Sequence, residues 1–231
     1  MNKLLVILGP TAVGKTALSL RLAAELGGEI ISADSRLFYR GMDIGTAKPN
    51  LAEQSMIRHH LLDICQPDQT VTLGQYQRLA YATIDQILDR DRLPTMVGGT
   101  GQYIMAVVEG WGIPEVPPRP ILREKLGQLG ENELNRWLRT LDANAADKID
   151  SRNIRRVVRA LEVTLTTGTP FSVLQRKAPP AYDICIIGLN RNRELLYERI
   201  DQRVENMMAD GLLEEVINLK EAGYDRSLPS M

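Results

Sequence analysis

Cysteine is scarce in this chain. Cys65 and Cys185 are the only two among 231 residues, far apart and in no spacing typical of a metal site or a redox motif. That excludes a disulfide framework, fits a reducing compartment, and leaves both thiols to be read as small buried apolar groups. An excess of charge of one sign is also missing. The 28 basic and 29 acidic residues nearly cancel, so a nucleic-acid partner would have to be held by a local basic patch and not by the overall charge. No apolar run approaches the roughly 20 residues of a membrane span. The short run at residues 4–8, after Lys3, imitates a signal peptide but leads straight into glycines and Lys15, so it reads as a first strand. These absences predict a cytoplasmic protein without a membrane partner. Internal repeats and low-complexity tracts are absent as well.

What is present is an ordinary globular composition, 44% apolar and 25% charged, enough for one sizeable core or a core with a small appendage. Residues 4–8 predict a buried strand ending at Gly9-Pro10. Residues 16–26 carry apolar side chains at helical spacing up to Gly27-Gly28. Residues 29–33 form a second β-branched run, residues 75–88 a second helix, and residues 94–97 a strand leading to Gly98-Gly99. Strands alternating with helices predict an α/β fold, a P-loop NTPase-like parallel sheet with helices on both faces. The character changes at residues 113–120, where four prolines in eight residues forbid regular helix or central strand. Residues 121–174 then read as helices only. After Pro179-Pro180, residues 184–189 again predict a buried strand, and residues 193–221 a long helical stretch interrupted at Gly211 and stopped at Gly223. The expected organisation is a catalytic core of residues 1–112 and 184–231 with a helical insertion domain of residues 113–183. The last residues close no capped element, which leads us to expect a further C-terminal portion.

Gly9-Pro10-Thr11-Ala12-Val13-Gly14-Lys15-Thr16 matches the phosphate-binding loop pattern, and it lies between a strand and a helix, where that pattern works. Glycines allow backbone amides to converge on one anion, and the helix N-terminus adds partial positive charge. Lys15 bridges phosphate oxygens, and Thr16 suits Mg2+. The loop implies a di- or triphosphate without saying which. Asp34 follows the second apolar run, at the carboxyl edge of the sheet where ligands of open α/β sheets bind. A carboxylate there either serves as a proton acceptor, holds magnesium through water, or only caps a turn. Thr100 follows Gly98-Gly99 and either caps the next helix or turns its hydroxyl or amide to the anion.

Taken in order, residues 9–16, Asp34-Ser35 with Tyr39, residues 41–49 (Gly-Met-Asp-Ile-Gly-Thr-Ala-Lys-Pro) and residues 98–103 (Gly-Gly-Thr-Gly-Gln-Tyr) resemble the motifs of the tRNA dimethylallyltransferases, or isopentenyltransferases. The resemblance implies a P-loop, including Gly9, Thr11, Ala12, Val13, Gly14, Lys15 and Thr16, that grips the diphosphate of dimethylallyl diphosphate. It makes Asp34 the general base for an adenine amine, sets Thr100 at the reaction centre, and gives Mg2+ to Thr16. It also implies tRNA contacts from Asp34, Ser35, Arg36, Leu37 and Gly101. Many members carry glutamine where this chain has Leu37.

Arginines complete the picture. Arg199 and Arg203 lie four apart with no acid among their helical neighbours, and such like charges repel by a few tenths of a kcal/mol, roughly, unless an anion lies between them. The resemblance assigns one arginine of this helix to the diphosphate, and Arg203 is our choice. Arg152, Arg155, Arg156 and Arg159 fall at helical spacing opposite Ile154, Val157, Val158 and Leu161, a face suited to a phosphate backbone, with Arg123 as a weaker candidate. Lys48, His59 and His60 receive no chemistry. The expected activity is transfer of a dimethylallyl group to the adenosine beside a tRNA anticodon, by a monomer. The competing readings are a small-molecule or nucleoside kinase with ATP at the loop, a prenyltransferase acting on free adenine nucleotides, and a non-catalytic binding protein.

Overall fold

The computed structural model describes residues 2–225, 228 and 230. The chain divides into two units, residues 1–108 with 180–231, and residues 109–179. The first begins with strand β1 (Lys3–Leu8), helix α1 (Lys15–Leu26) and strand β2 (Gly28–Ser32), followed by a 3-10 turn at Ser35–Phe38. Helix α2 (Leu51–Met56), the two-residue strand β3 (His59–His60), helix α3 (Leu73–Leu88), strand β4 (Leu93–Gly98) and helix α4 (Gly101–Val108) come next. With β5 (Asp183–Gly188) the strands form one parallel sheet in the order β3-β2-β4-β1-β5. The 3-10 turn, α2 and β3 have no counterpart in the apolar periodicity, because each is too short to show one.

Alternation along the strands divides the core between two faces. Ile31 and Met96 join Leu4, Val6, Tyr76, Ile84, Ile87 and Ile104 on the side of α3 and α4, while Ile30 and Val97 join Ala23, Leu20 and Ile57 on the side of α1. Local signals end the helices where they must. Gly27 adopts a left-handed φ of 64° and donates its N–H to the Ala23 carbonyl, and capping boxes Asn50/Glu53 and Thr72/Gln75 start α2 and α3. β5 corrects an expectation. Its apolar run resembles a buried strand, yet it occupies the sheet edge beyond β1, most of its residues are exposed, and Cys185 is exposed while Cys65 is buried. An apolar run reports a preference for burial; the layer that covers it is set elsewhere in the chain.

The second unit holds helices α5 (Pro120–Gly127), α6 (Glu131–Leu141), α7 (Ala143–Lys148), α8 (Ile154–Thr167) and α9 (Phe171–Leu174) around Leu126, Leu134, Leu138, Val157, Leu161 and Phe171. Inside that apolar cluster Glu162 is fully buried. Its carboxylate accepts from the Arg119 amide, from Arg123 Nε and Nη2 at 2.8 Å each, and from Arg159 Nη1 at 2.6 Å. Burial pushes the carboxyl up, but the bonds from Arg123, the Arg119 amide and Arg159 outweigh it and hold it at about 2.

The first unit resumes with β5 and then α10 (Arg193–Ala209) and α11 (Leu212–Glu221), separated by Gly211 with φ of 100°.

Candidate active site

The carboxyl ends of β1, β2 and β4 and the side of α10 enclose a cavity of about 630 Å³. Thr11, Ala12, Gly14, Lys15 and Thr16 form its floor. Asp34 and Leu37 come from the loop after β2, Thr46 and Ala47 from the segment before α2, and Arg199 and Arg203 from α10. Glycines decide two close approaches. A side chain at Gly9 would lie 2.6 Å from the Leu189 carbonyl, and one at Gly98 would lie 2.2 Å from the Ala33 carbonyl. The phosphate loop can therefore meet the segment after β5, and the end of β4 can meet the start of the Asp34 loop, only over bare backbone. Ala12 (φ 61°) and Gly14 (φ 111°) supply the left-handed residues from which an anion nest is made. Gly9 and Val13 support the loop without lining the cavity; Val13 is buried and Gly9 accepts from Lys15.

Lys15 Nζ donates to the Gly9 and Pro10 carbonyls at 2.9 and 2.8 Å, spanning its own loop. Its pKa lies below the ordinary lysine value, chiefly through burial; the Asp34 carboxylate opposes this and the Arg203 cation reinforces it. Burial likewise lowers Arg203, again against Asp34. The two cations and the carboxylate thus feel one another, and a bound anion would relieve the repulsion between Lys15 and Arg203.

Asp34 caps the 3-10 turn, Oδ1 accepting from the Arg36 N–H at 3.0 Å. Capping does not consume the carboxylate, because Oδ2 has no bond to any described residue. Thr100 links two loops of the site. It does not line the cavity; its amide donates to the Ala33 carbonyl at 3.3 Å and its hydroxyl accepts from the Ser35 N–H at 3.4 Å. It ties the loops after β2 and β4 together, and reaches the cavity through Ser35 and Asp34. Below this tie the rings of Phe38, Tyr76 and Tyr103 stack, and the buried Tyr76 hydroxyl donates to the Ser32 carbonyl at 3.1 Å. Arg36 is exposed and donates to the Ser230 carbonyl, and Gly101 faces open space.

The two arginines of α10 both meet backbone oxygens. Arg199 Nε donates to the Ala12 carbonyl at 2.8 Å and Arg203 Nη2 to the Thr46 carbonyl at 3.3 Å. Lys48 is nearly buried, its Nζ held by Asp43, Asp63 and the Tyr39 carbonyl. His60 meets the Glu29 carboxylate that Arg90 also binds, a structural cluster away from the cavity. Thr46, Ala47, Glu53, Gln202 and Asn206 line the cavity without having been singled out. Residues 41–49 stood out as a motif, but no chemistry of single residues distinguishes Thr46 or Ala47, which contribute through their place in the loop.

In the second unit the arginine face shrinks. Arg152 precedes α8 and folds onto Asp150, while Arg159 and Arg123 are spent on Glu162. A buried carboxylate needs cationic partners more than a solvated phosphate does. Arg155 and Arg156 remain exposed at the start of α8, without a side-chain partner among the described residues. The described residues hold no group of three or more His, Cys, Asp or Glu suited to a metal, and no helix long and apolar enough to cross a membrane.

A family model described as IPP transferase matches residues 37–231. A curated protein of Herpetosiphon aurantiacus named tRNA dimethylallyltransferase is 54% identical over 99% of this chain and 74% of its own length. One of the same name from Chloroflexus aggregans is 51% identical over 100% of this chain and 79% of its own length. The crystal structure of the full-length tRNA isopentenylpyrophosphate transferase from Bacillus halodurans superposes with a TM-score of 0.69 at 40% identity, covering 100% of this chain and 73% of that one. A eukaryotic dimethylallyltransferase acting on tRNA superposes with a TM-score of 0.83 at 29% identity, covering 95% of this chain and 56% of that one.

Proposed function

Because this chain belongs to the IPP transferase family, we propose that it transfers the dimethylallyl group of dimethylallyl diphosphate to the N6 amine of the adenosine on the 3' side of a tRNA anticodon, releasing diphosphate. One observation carries the reading. A single cavity gathers the cations Lys15 and Arg203 with the Asp34 carboxylate at the mouth of a phosphate loop. The C1–O bond of the donor breaks and its electron pair leaves with the diphosphate, whose charge Lys15, Arg203 and the loop amides offset. The adenine nitrogen bonds to C1 and gives its proton to Asp34, whose Oδ2 is the available acceptor.

Mg2+ is part of this proposal. Thr16 lines the cavity beside Lys15 and is exposed, and with no carboxylate cluster nearby the ion would be held by the Thr16 hydroxyl and the donor's own oxygens, as Mg2+ prefers. When bound, it neutralises charge on the leaving group. We further propose that the protein works as a monomer in the cytoplasm, where its tRNA substrate is found. Arg155 and Arg156 are the residues we assign to the tRNA backbone.

The test supplies labelled dimethylallyl diphosphate and Mg2+ with tRNA, AMP or ATP in separate reactions. Label in tRNA alone is the expected result. Label in AMP would move the chain to free-nucleotide prenylation, and ATP turnover without prenyl transfer would make it a kinase.

A further inference from the structure

Beside the cavity, the segment between the 3-10 turn and α2 is gripped through its backbone amides by a side chain that lies outside the site. Glu215 on α11 accepts from three consecutive backbone amides, Asp43 and Ile44 on Oε2 at 2.8 and 2.7 Å and Gly45 on Oε1 at 3.0 Å. A carboxylate taking three N–H donors is a charge-assisted anchor stronger than neutral pairs. Glycine eases the approach, since a side chain at Gly45 would lie 3.1 Å from Leu212 Cδ1 and 3.4 Å from Glu215 Oε1 and would press on both. The next two residues, Thr46 and Ala47, are cavity wall, and Ala47 is itself left-handed at φ 49°. The Thr46 carbonyl is the acceptor that Arg203 Nη2 reaches at 3.3 Å, and Arg203 is the cation that both Lys15 and Asp34 feel.

These contacts form a chain from α11 to the anion site. We infer that Glu215 is a positioning residue for diphosphate binding, holding the segment at residues 43–47 so that the Thr46 carbonyl keeps the Arg203 guanidinium turned into the cavity. Glu215 does not line the cavity. Its effect passes through Arg203. This rests on the reading that the cavity binds a diphosphate group.

The experiment measures inorganic diphosphate binding to the purified protein with Mg2+ by titration calorimetry, with no transfer reaction involved. Glu215→Ala is expected to weaken binding about tenfold, approaching the loss caused by Arg203→Ala. The decisive comparison is the double variant. If Glu215 acts through Arg203, Glu215→Ala combined with Arg203→Ala binds no more weakly than Arg203→Ala alone, whereas independent contributions multiply. Glu215→Gln, which keeps the length and one acceptor oxygen, is expected to lose only twofold to threefold, and it carries the same comparison should the alanine variant fold poorly. Unchanged affinity in both variants, or full additivity with Arg203→Ala, overturns the inference while leaving the functional reading intact. Absence of diphosphate binding in the unsubstituted protein, or binding unaffected by Lys15→Ala, sinks the functional reading and the inference with it.

Discussion

Asp34 is oriented by one of its own oxygens. Oδ1 accepts from the Arg36 amide at 3.0 Å, which orients the carboxylate, and Oδ2 has no bond to any described residue; Asp34 lines the cavity together with Lys15 and Arg203. Asp34→Asn keeps the capping oxygen but cannot take a proton from an amine. We expect turnover to fall by roughly 10² to 10⁴, while diphosphate affinity stays level or rises because a negative charge near two cations is gone. Single-turnover kinetics beside diphosphate titration checks this, and a loss of binding that matches the loss of turnover would refute the proton-acceptor role. The phosphate loop and Asp34 could be found in the chain because each is a contiguous signature that follows a strand. Thr100 was visible as a residue, but not the loop that it ties. Its hydroxyl faces Ser35, a partner that only the pairing of β2 with β4 brings near.

Helix α8 shows how one buried residue redirects its neighbours. Its apolar face was readable from periodicity: Val157 and Leu161 are buried, and Ile154 and Val158 are partly buried against the same cluster. Its charged face was not, because Glu162 sits among the buried positions and draws Arg159 from the same helix and Arg123 from α5. Of the four arginines at suitable spacing, Glu162 takes Arg159 and Asp150 takes Arg152, which leaves two with open guanidinium groups. The Glu162 carboxyl is held at about 2, below its ordinary 4.5, so its contribution to stability is complete above pH 4.5 and is lost as pH falls toward 2. Glu162→Gln should destabilise the helical unit by about 3 kcal/mol at neutral pH, since it strips a buried partner from two arginines, and should flatten the loss of stability in that acid window. Denaturant unfolding followed at Trp137 or Trp111 between pH 2 and pH 7 measures both. An unaltered pH dependence in the variant would remove Glu162 from the account.

A protein of net charge −1 has no general attraction to RNA, so tRNA affinity must come from a few placed cations. Arg155→Ala with Arg156→Ala should weaken tRNA binding and reduce the slope of log K against log salt by about one to two, because each phosphate contact contributes roughly 0.7 to 0.9. A filter-binding titration over salt concentration decides it. An unchanged slope would take α8 out of the interface. The alternation of the longer strands and helices, the phosphate loop and the place of Asp34 at the carboxyl edge of the sheet were written in the linear chain, since each depends on neighbours in sequence through glycine dihedrals, apolar period and helix caps. The rest came from residues distant in sequence. Arg203 opposite Thr46, Glu215 beneath residues 43–45, the exposure of β5 and the withdrawal of Arg123 and Arg159 onto Glu162 all follow from packing, because burial and charge pairing depend on which surfaces meet, and the spacing of residues along a chain does not carry that information.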